Sequence, residues 1–432
     1  MNNQEHALTL READTLARRG DLSAAANLIE KLLVAVPDHS QALTMLGRIY
    51  RANNQSEKAV SILRKLCRVD GQDFWSWFEL GEAFEANSDL VGAVNAFLKA
   101  WSLNKGNARF ALYAGYALWQ AGRNEEALQV WSIGSDMDPL VRIAHLRPDA
   151  DQTTRIKSET ADNELRRFFT QMYQNGLARY ENPERLLSAM WPQTHIGNVE
   201  YKRENQKPYM FYAPDLPETP VFETSEIPWA QTLKNATPKI IQELETYLEN
   251  THDYGRPYLA HMSDGEESWE HLRGSEDWNA LHLYKDAEKQ SCASSFPETL
   301  TTLEDAPLVE MFGTPMEVFF SVLKPNTHIP PHFGLSNSRL TAHLPLIIPR
   351  DCKIRVADQT HHWRRGELFL FDDSFDHEAR NDSDEVRVVL IFETWRPDLS
   401  ADEVRALQHS MEVRSRWLQS RKIPVIENIE LV

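Results

Sequence analysis

The sequence predicts a multidomain α + β protein, an all-α solenoid followed by an antiparallel β sandwich or barrel. A 34-residue periodicity through the first third of the chain predicts the solenoid. A run of short β-branched and aromatic segments after Met316 predicts the β domain. A polar, proline-rich passage separates the two, and a chain of 432 residues is long enough for two or three domains.

The periodicity is carried by four ladders of matching residue type. Ala13, Gly47, Gly81 and Gly115 form the first; Ala25, Ala59, Ala93 and Ala127 the second; Ile29, Leu63, Phe97 and Trp131 the third. A turn or polar residue recurs between the first two, at Gly20, Asn54, Ser88 and Gly122. Each unit therefore reads as a helical hairpin. A small residue in each helix permits close approach, the turn residue separates the helices, and the large apolar residue fills the space between units. The repeat resembles the tetratricopeptide repeat, with Leu46-Gly47 and Leu80-Gly81 matching its Leu-Gly pair and Pro37 and Pro139 at unit ends. Four units span residues 5–139. The resemblance implies a concave face that holds a peptide or another protein; the alternative is an array that only rigidifies or dimerises the chain. Trp75, Trp77, Trp101 and Trp119 are read mostly as packing between helices.

Residues 150–200 keep helical spacing without the repeat and are expected to form two connecting helices, with Pro183 at a helix start. From Lys207 the proline- and aromatic-rich text suggests extended segments, and TPKIIQELETYLEN reads as an amphipathic helix of about three turns. Asp253 to Thr302 is expected to be largely loop, with an acidic patch at Asp264, Glu266 and Glu267. The β runs MEVFFSVLK, RLTAHLPLIIP, KIRVAD, GELFLFDD and VRVVLIFETW then follow, separated by turn sets. The expected divisions are a repeat array over 1–145, connecting helices over 146–204, a β domain over 205–400, and a C-terminal helix and tail over 401–432.

The formal charge of −18 is unevenly spread: residues 1–150 hold 16 Lys and Arg against 18 Asp and Glu, and the remainder 30 against 46. A nucleic-acid partner is excluded, because a phosphate backbone needs a basic surface, and so is an electrostatically held membrane protein. Three cysteines without CxxC spacing argue against a disulfide framework. No apolar run suits a signal peptide or a membrane span, so a cytoplasmic location is expected.

Two histidines stand out. His332 lies in THIPPHFG after one β run, and His377 in FDDSFDHEARND after another, so both fall at strand ends. Arg387 opens the apolar run VRVVLIFETW ten residues after His377. Two histidines followed by such an arginine, within a β-barrel, resemble the layout of non-haem Fe(II) oxygenases that use 2-oxoglutarate. HFGLSNSRLTAHLPLIIP and GELFLFDDSFDHEARNDSDEVRVVLIFETWRPDL, with PWA, the Trp278 region and SVLKPNTHIPPH upstream, are similar to the catalytic domain of the aspartyl/asparaginyl β-hydroxylases over residues 205–400.

That resemblance implies a double-stranded β-helix, a jelly-roll of the cupin kind. It implies Fe(II), 2-oxoglutarate as cosubstrate and O2, with His332 and His377 as metal ligands and no catalytic residue beyond the metal and cosubstrate ligands. Residue 334 is Gly where the common iron triad has a carboxylate, and the family shares that departure. Ser321 and Arg387 match the residues that hold the distal carboxylate of the cosubstrate, and His343 matches one of two that hold the carboxylate beside the keto group. The other is usually Arg and here is Thr341; Arg339, on the same strand face, is the candidate to stand in for it. Asp372, Asp373 and Asp376 read as a turn and strand cap rather than ligands. Trp278 matches a position near the substrate pocket, with core packing as the alternative; His328, His361 and His362 read as solvated loop residues.

The resemblance thus implies hydroxylation of an unactivated C–H in a peptidyl Asp, Asn or other protein substrate, with the repeat array binding substrate or partner. A small-molecule hydroxylase acting on an amino acid or a lipid-linked acyl group is the second reading. A non-catalytic repeat scaffold with a degenerate barrel is the third.

Overall fold

The computed structural model describes residues 3–181, 183–259 and 267–427. Asp264 and Glu266 of the expected acidic patch lie outside the described residues. The chain divides into two compact units: Met1–Phe168 with Leu418–Val432, and Phe169–Trp417.

The first unit is helical. Its hairpins are α1 (Asn3–Arg18) with α2 (Leu22–Ala35), α3 (Ser40–Ala52) with α4 (Ser56–Val69), α5 (Phe74–Ala86) with α6 (Leu90–Leu103), and α7 (Ala108–Gln120) with α8 (Asn124–Met137). Asp21, Asp73, Asp89 and Asn107 cap α2, α5, α6 and α7 by accepting backbone N–H groups of the first turn. The close approach expected of the small ladder is present. A Cβ added at Gly47, Gly81 or Gly115 would lie 2.6, 2.5 and 2.3 Å from Leu63, Phe97 and Trp131. The large residue therefore sits on the glycine of its own hairpin, and Phe97 also meets Tyr113 of the next unit at 5.5 Å. Trp77 and Trp101 are buried, whereas Trp75 is 42% exposed.

The turn ladder has one backbone conformation throughout. φ is +84° at Gly20, +55° at Asn54, +59° at Ser88 and +75° at Gly122. This is the left-handed region, where a side chain costs roughly 1–2 kcal/mol and glycine costs little.

Beyond the hairpins come α9 (Leu140–Ile143), α10 (Gln152–Leu177) and α11 (Glu184–Leu187). One 26-residue helix thus replaces most of the expected pair, and Pro183 precedes only a single turn. The helix expected from TPKIIQELETYLEN begins earlier, as α12 (Pro228–Thr251), with Pro228 in its first turn and Pro238 inside it. A proline reads as a helix start, which hides the ten residues ahead of it.

The second unit is built on strands β1 (Val221–Phe222), β2 (Arg256–Pro257), β3 (Trp278–Lys285), β4 (Glu288–Lys289), β5 (Glu310–Met311), β6 (Thr314–Pro315) and β7 (Glu317–Leu323). It continues with β8 (Thr327–His332), β9 (Arg339–Ile347), β10 (Cys352–Val356), β11 (Gln359–His361), β12 (Phe369–Phe371), β13 (His377–Asn381) and β14 (Arg387–Trp395). Helices α13 (Pro297–Leu303) and α14 (Ala401–Ser420) complete the order. The main sheet runs β1-β12-β9-β14-β7-β3-β2, with β4 on β3, and the second runs β11-β10-β13-β8. From β7 onward the chain crosses repeatedly between the sheets, and the ladders are antiparallel.

Successive strand residues point to opposite faces, so each strand of the main sheet serves two environments. Val318, Phe320 and Val322 of β7, Leu344 and Leu346 of β9, and Leu390 and Phe392 of β14 form one core with Leu233, Ile240, Ile241 and Leu244 of α12. The alternate residues are free to line an interior between the sheets. Among the described residues no helix is long and apolar enough to cross a membrane.

Ser88→Gly is expected to stabilise the protein by about 1 kcal/mol, because it removes a side chain from a left-handed turn. Urea unfolding of the two proteins followed by circular dichroism measures the shift.

Candidate functional site

The residues that alternate with the core line a cavity of about 720 Å³ between the sheets. Phe319 and Ser321 come from β7, Thr341 and His343 from β9, and Arg387, Ile391 and Glu393 from β14. His332, at the end of β8, and His377, at the start of β13, line the same cavity, as do Trp278, Tyr258, Trp269, Glu317 and Asp373.

His332 and His377 are directly opposite each other in the β8–β13 ladder. Cross-strand partners stand about 5 Å apart at Cβ, and here the ring centroids are 4.0 Å apart. Each Nδ1 is held by a carbonyl two residues earlier, His332 by Pro330 at 2.8 Å and His377 by Phe375 at 2.9 Å. With Nδ1 donating, the lone pair falls on Nε2 of a neutral ring. Burial favours that neutral form, lowering His332 to about 3 and His377 to about 4. Two neutral imidazoles held through Nδ1 each leave an Nε2 lone pair that could serve as a donor to a metal ion. Among the described residues no group of three or more His, Cys, Asp or Glu stands ready to hold a metal ion, so the pair is a two-donor set.

A second polar group lies deeper in the cavity. Arg387 is 1% exposed, and burial lowers its guanidinium only to about 10, so it stays charged. It lies 4.8 Å from the Trp363 ring, and its Nη1 donates to Ser321 Oγ at 3.3 Å. Trp278 Nε1 donates to the same oxygen at 3.1 Å, which leaves the Ser321 hydroxyl hydrogen for another acceptor. Arg387 Nε and His343 Nδ1 are buried with no hydrogen-bond partner among the described residues. Buried polar atoms are rarely left unpaired, so the charged Arg387 donor here asks for an anionic, oxygen-rich ligand, with the neutral His343 ring beside it.

Of the residues singled out in the sequence, Ser321, His343, Arg387, His332, His377 and Trp278 are brought together around this cavity. Arg339 is not: it forms an ion pair with Glu393 at 2.9 Å, both side chains largely buried. Thr341 donates to Asp373 Oδ2 at 3.0 Å. Asp372 organises the β12–β13 turn, accepting from Ser374 N at 3.0 Å and pairing with Arg396 at 2.9 Å, and Asp376 pairs with Arg355 at 2.9 Å. Asp373 differs from both. Its carboxyl group fills the space beside Gly334, where an added Cβ would lie 2.1 Å from Asp373 Cγ, and among the described residues its Oδ1 has no partner. The missing side chain at residue 334 thus makes room for a carboxyl group arriving from another strand end. His328 belongs to β8 and meets Glu378 at 2.7 Å, rather than lying in a loop.

This arrangement can be set beside known proteins. A family model described as Aspartyl/Asparaginyl beta-hydroxylase matches residues 234–397. Over those residues the chain resembles the aspartyl/asparaginyl beta-hydroxylases. A tetratricopeptide repeat model matches residues 10–74 and 44–103. The human protein named Aspartyl/asparaginyl beta-hydroxylase is 33% identical over 187 residues, covering 42% of this chain and 24% of that one. Ornithine lipid ester-linked acyl 2-hydroxylase of Rhizobium tropici is 30% identical over 186 residues, 42% of this chain and 62% of the relative. Human Aspartate beta-hydroxylase domain-containing protein 2 is 29% identical over 211 residues, 47% of this chain and 54% of the relative. The matches therefore span only part of each relative, and the cavity-lining strands lie inside the matched beta-hydroxylase segment.

Gly334→Ala is expected to destabilise the protein by about 1–3 kcal/mol through overpacking against Asp373. Shortening Asp373 to Ala in the same chain removes the clash, so the double variant should be more stable than the two single losses add up to. Thermal unfolding of the four proteins in a double-mutant cycle checks the coupling.

Proposed function

We propose that this protein is an Fe(II)- and 2-oxoglutarate-dependent dioxygenase that hydroxylates an unactivated C–H bond. The observation that carries the proposal is one cavity holding both a pair of neutral imidazoles and a buried, incompletely bonded arginine. The β7–β14 connectivity, alternating between two four-strand sets, fits a jelly-roll of the double-stranded β-helix kind.

His332 and His377 would hold the metal through Nε2, and the Pro330 and Phe375 carbonyls fix both rings in the tautomer that leaves Nε2 free. Arg387 and the Ser321 hydroxyl would receive the distal carboxylate of 2-oxoglutarate, an ion with carboxylates at both ends. His343 Nδ1 would meet the cosubstrate nearer the imidazole pair. Thr341 and Gly334 set the position of Asp373, whose free Oδ1 is placed to accept a hydrogen bond from a water molecule in the site. Bound iron and cosubstrate supply the oxidising power from O2; the protein's part is to bind, orient and exclude water. Phe371, Ile329, Ile354 and Phe319 form the apolar wall that limits access to the oxidant.

The repeat array is assigned to holding a protein substrate or partner. A small-molecule reading is kept beside it, because one relative is named a hydroxylase of a lipid-linked acyl group. The cytoplasm remains the proposed compartment, on three cysteines without disulfide spacing.

Purified protein with Fe(II) and 2-oxoglutarate is expected to release succinate. His377→Ala should reduce that release by 100-fold or more, about the loss of an essential first ligand. Succinate formation unchanged in the variant, or absent in the wild type with every substrate class offered, contradicts the proposal.

A further inference from the structure

We propose that the open end of the cavity receives a cationic group of the substrate, an amine or guanidinium, rather than the carboxylate of an aspartyl side chain. This rests on the hydroxylase reading above and specifies the substrate of that same site.

The cavity is electrostatically divided along its strands. At one end stand Arg387 and Ser321. Four residues further along β7, about 13 Å at strand rise, stands Glu317. In the β7–β14 ladder Ser321 is opposite Val389 and Val318 is opposite Phe392. The next step in that register brings Glu317 to Glu393. Glu393 is also the β14 partner of Thr341, and Thr341 holds Asp373. Two carboxylates on facing strand positions, with a third beside them, oppose folding unless a positive charge stands among them.

The protein's own cations answer this only in part. Arg339 is committed to Glu393 at 2.9 Å, and Lys207, at the cavity wall, to Glu204 at 2.5 Å. Arg387 belongs to the other end. Among the described residues Glu317 meets only the His282 ring, at 3.2 Å, and Asp373 Oδ1 has no hydrogen-bond partner. Burial, and then the proximity of Asp373 and Glu317, hold the Glu393 carboxyl up at about 7 despite Arg339. An anionic substrate group would meet three carboxyl groups here; a cation would relieve them.

The wall beside these carboxylates has the same preference. Tyr258 stacks on Trp278 with centroids 4.2 Å apart and lies 5.6 Å from Phe319, and it is 38% exposed. Aromatic faces next to carboxylates attract ammonium and guanidinium groups. His343, 6% exposed and with Nδ1 unpartnered among the described residues, is a second mark, beside the carboxylates, of a cavity built to contain ligands. Thr341 completes the argument. Placed opposite Glu393 and bonded to Asp373, this uncharged side chain leaves that end negative.

The test uses the whole 432-residue chain and three probes whose side chains are cationic, neutral and anionic: N-acetyl-lysine amide, N-acetyl-norleucine amide and N-acetyl-glutamate amide, titrated calorimetrically. The lysine probe is expected to bind about tenfold more tightly than the norleucine probe, the gain of one charge-assisted bond, and the glutamate probe most weakly. Glu317→Gln should lose most of the lysine preference, and Thr341→Arg should turn the preference toward glutamate. Glutamate binding as tightly as lysine to the wild type, no lysine binding at millimolar concentration, or a preference untouched by Glu317→Gln would each overturn the proposal. Titrating 2-oxoglutarate with Mn(II) into the same proteins separates the two readings. If 2-oxoglutarate fails to bind the wild type, the hydroxylase reading fails whatever the probes do. If it binds all three proteins and the probes do not discriminate, the cationic-substrate inference fails alone.

Discussion

The register between β8 and β13 is the constraint on which the rest of this site depends. His332 and His377 face each other only because the two strands pair at that step. Side chains alternate with a period of two, so a slip of one residue would turn one imidazole away from the cavity. The ladder is irregular between His377 and Ala379, a local adjustment of the kind that re-aims a side chain at a functional site. The carbonyls of Pro330 and Phe375 then fix ring orientation, so strand pairing and tautomer are settled by the same few residues.

The same period of two partitions the main sheet. One face of β7, β9 and β14 is aliphatic and is covered by α12; the other carries Ser321, Thr341, His343, Arg387 and Glu393. Binding chemistry and stability therefore use alternate residues of the same strands. A buried guanidinium and a set of buried carboxylates would be costly if adjacent and unpaired. Spread along strands of seven and nine residues, they give the cavity a positive and a negative end. In the proposed function a cosubstrate with two carboxylates would take the positive end, and in the further proposal the negative end would select a cationic group.

Much of this was readable in the sequence because it depends on local pattern. The 34-residue ladders repeat residue type, and the positive φ at Gly20, Asn54, Ser88 and Gly122 shows that they also repeat backbone conformation. His332, His377 and Arg387 stood out because polar residues at the ends of apolar runs are conspicuous. The face shared by Arg339, Thr341 and His343 also follows from alternation alone, but position along the face does not. Arg339 lies about 13 Å of strand from His343 and is taken by Glu393. Asp373 reads only as part of a turn and strand cap, and Glu317 and Glu393 are not singled out, for a related reason. An acidic residue in a turn or at a strand end looks solvated until the fold brings Gly334, Thr341 and a neighbouring strand against it. The one local hint was Gly334, a small residue where a carboxylate is common, which left room for a carboxyl group from elsewhere. The start of α12 was hidden by Pro238, and the single long α10 by the expectation of a break that its sequence does not enforce.

The central claim is that the imidazole pair and the buried arginine act on one metal–cosubstrate complex within one cavity. Anaerobic titration of Fe(II) into the protein, with and without 2-oxoglutarate, tests this most directly. A visible charge-transfer band arises only when the keto acid chelates a protein-bound iron. The account predicts a band that needs both components, saturates at one iron per chain, and weakens when Arg387 is replaced by Leu. No band in the wild-type protein, or a band indifferent to Arg387, would contradict it.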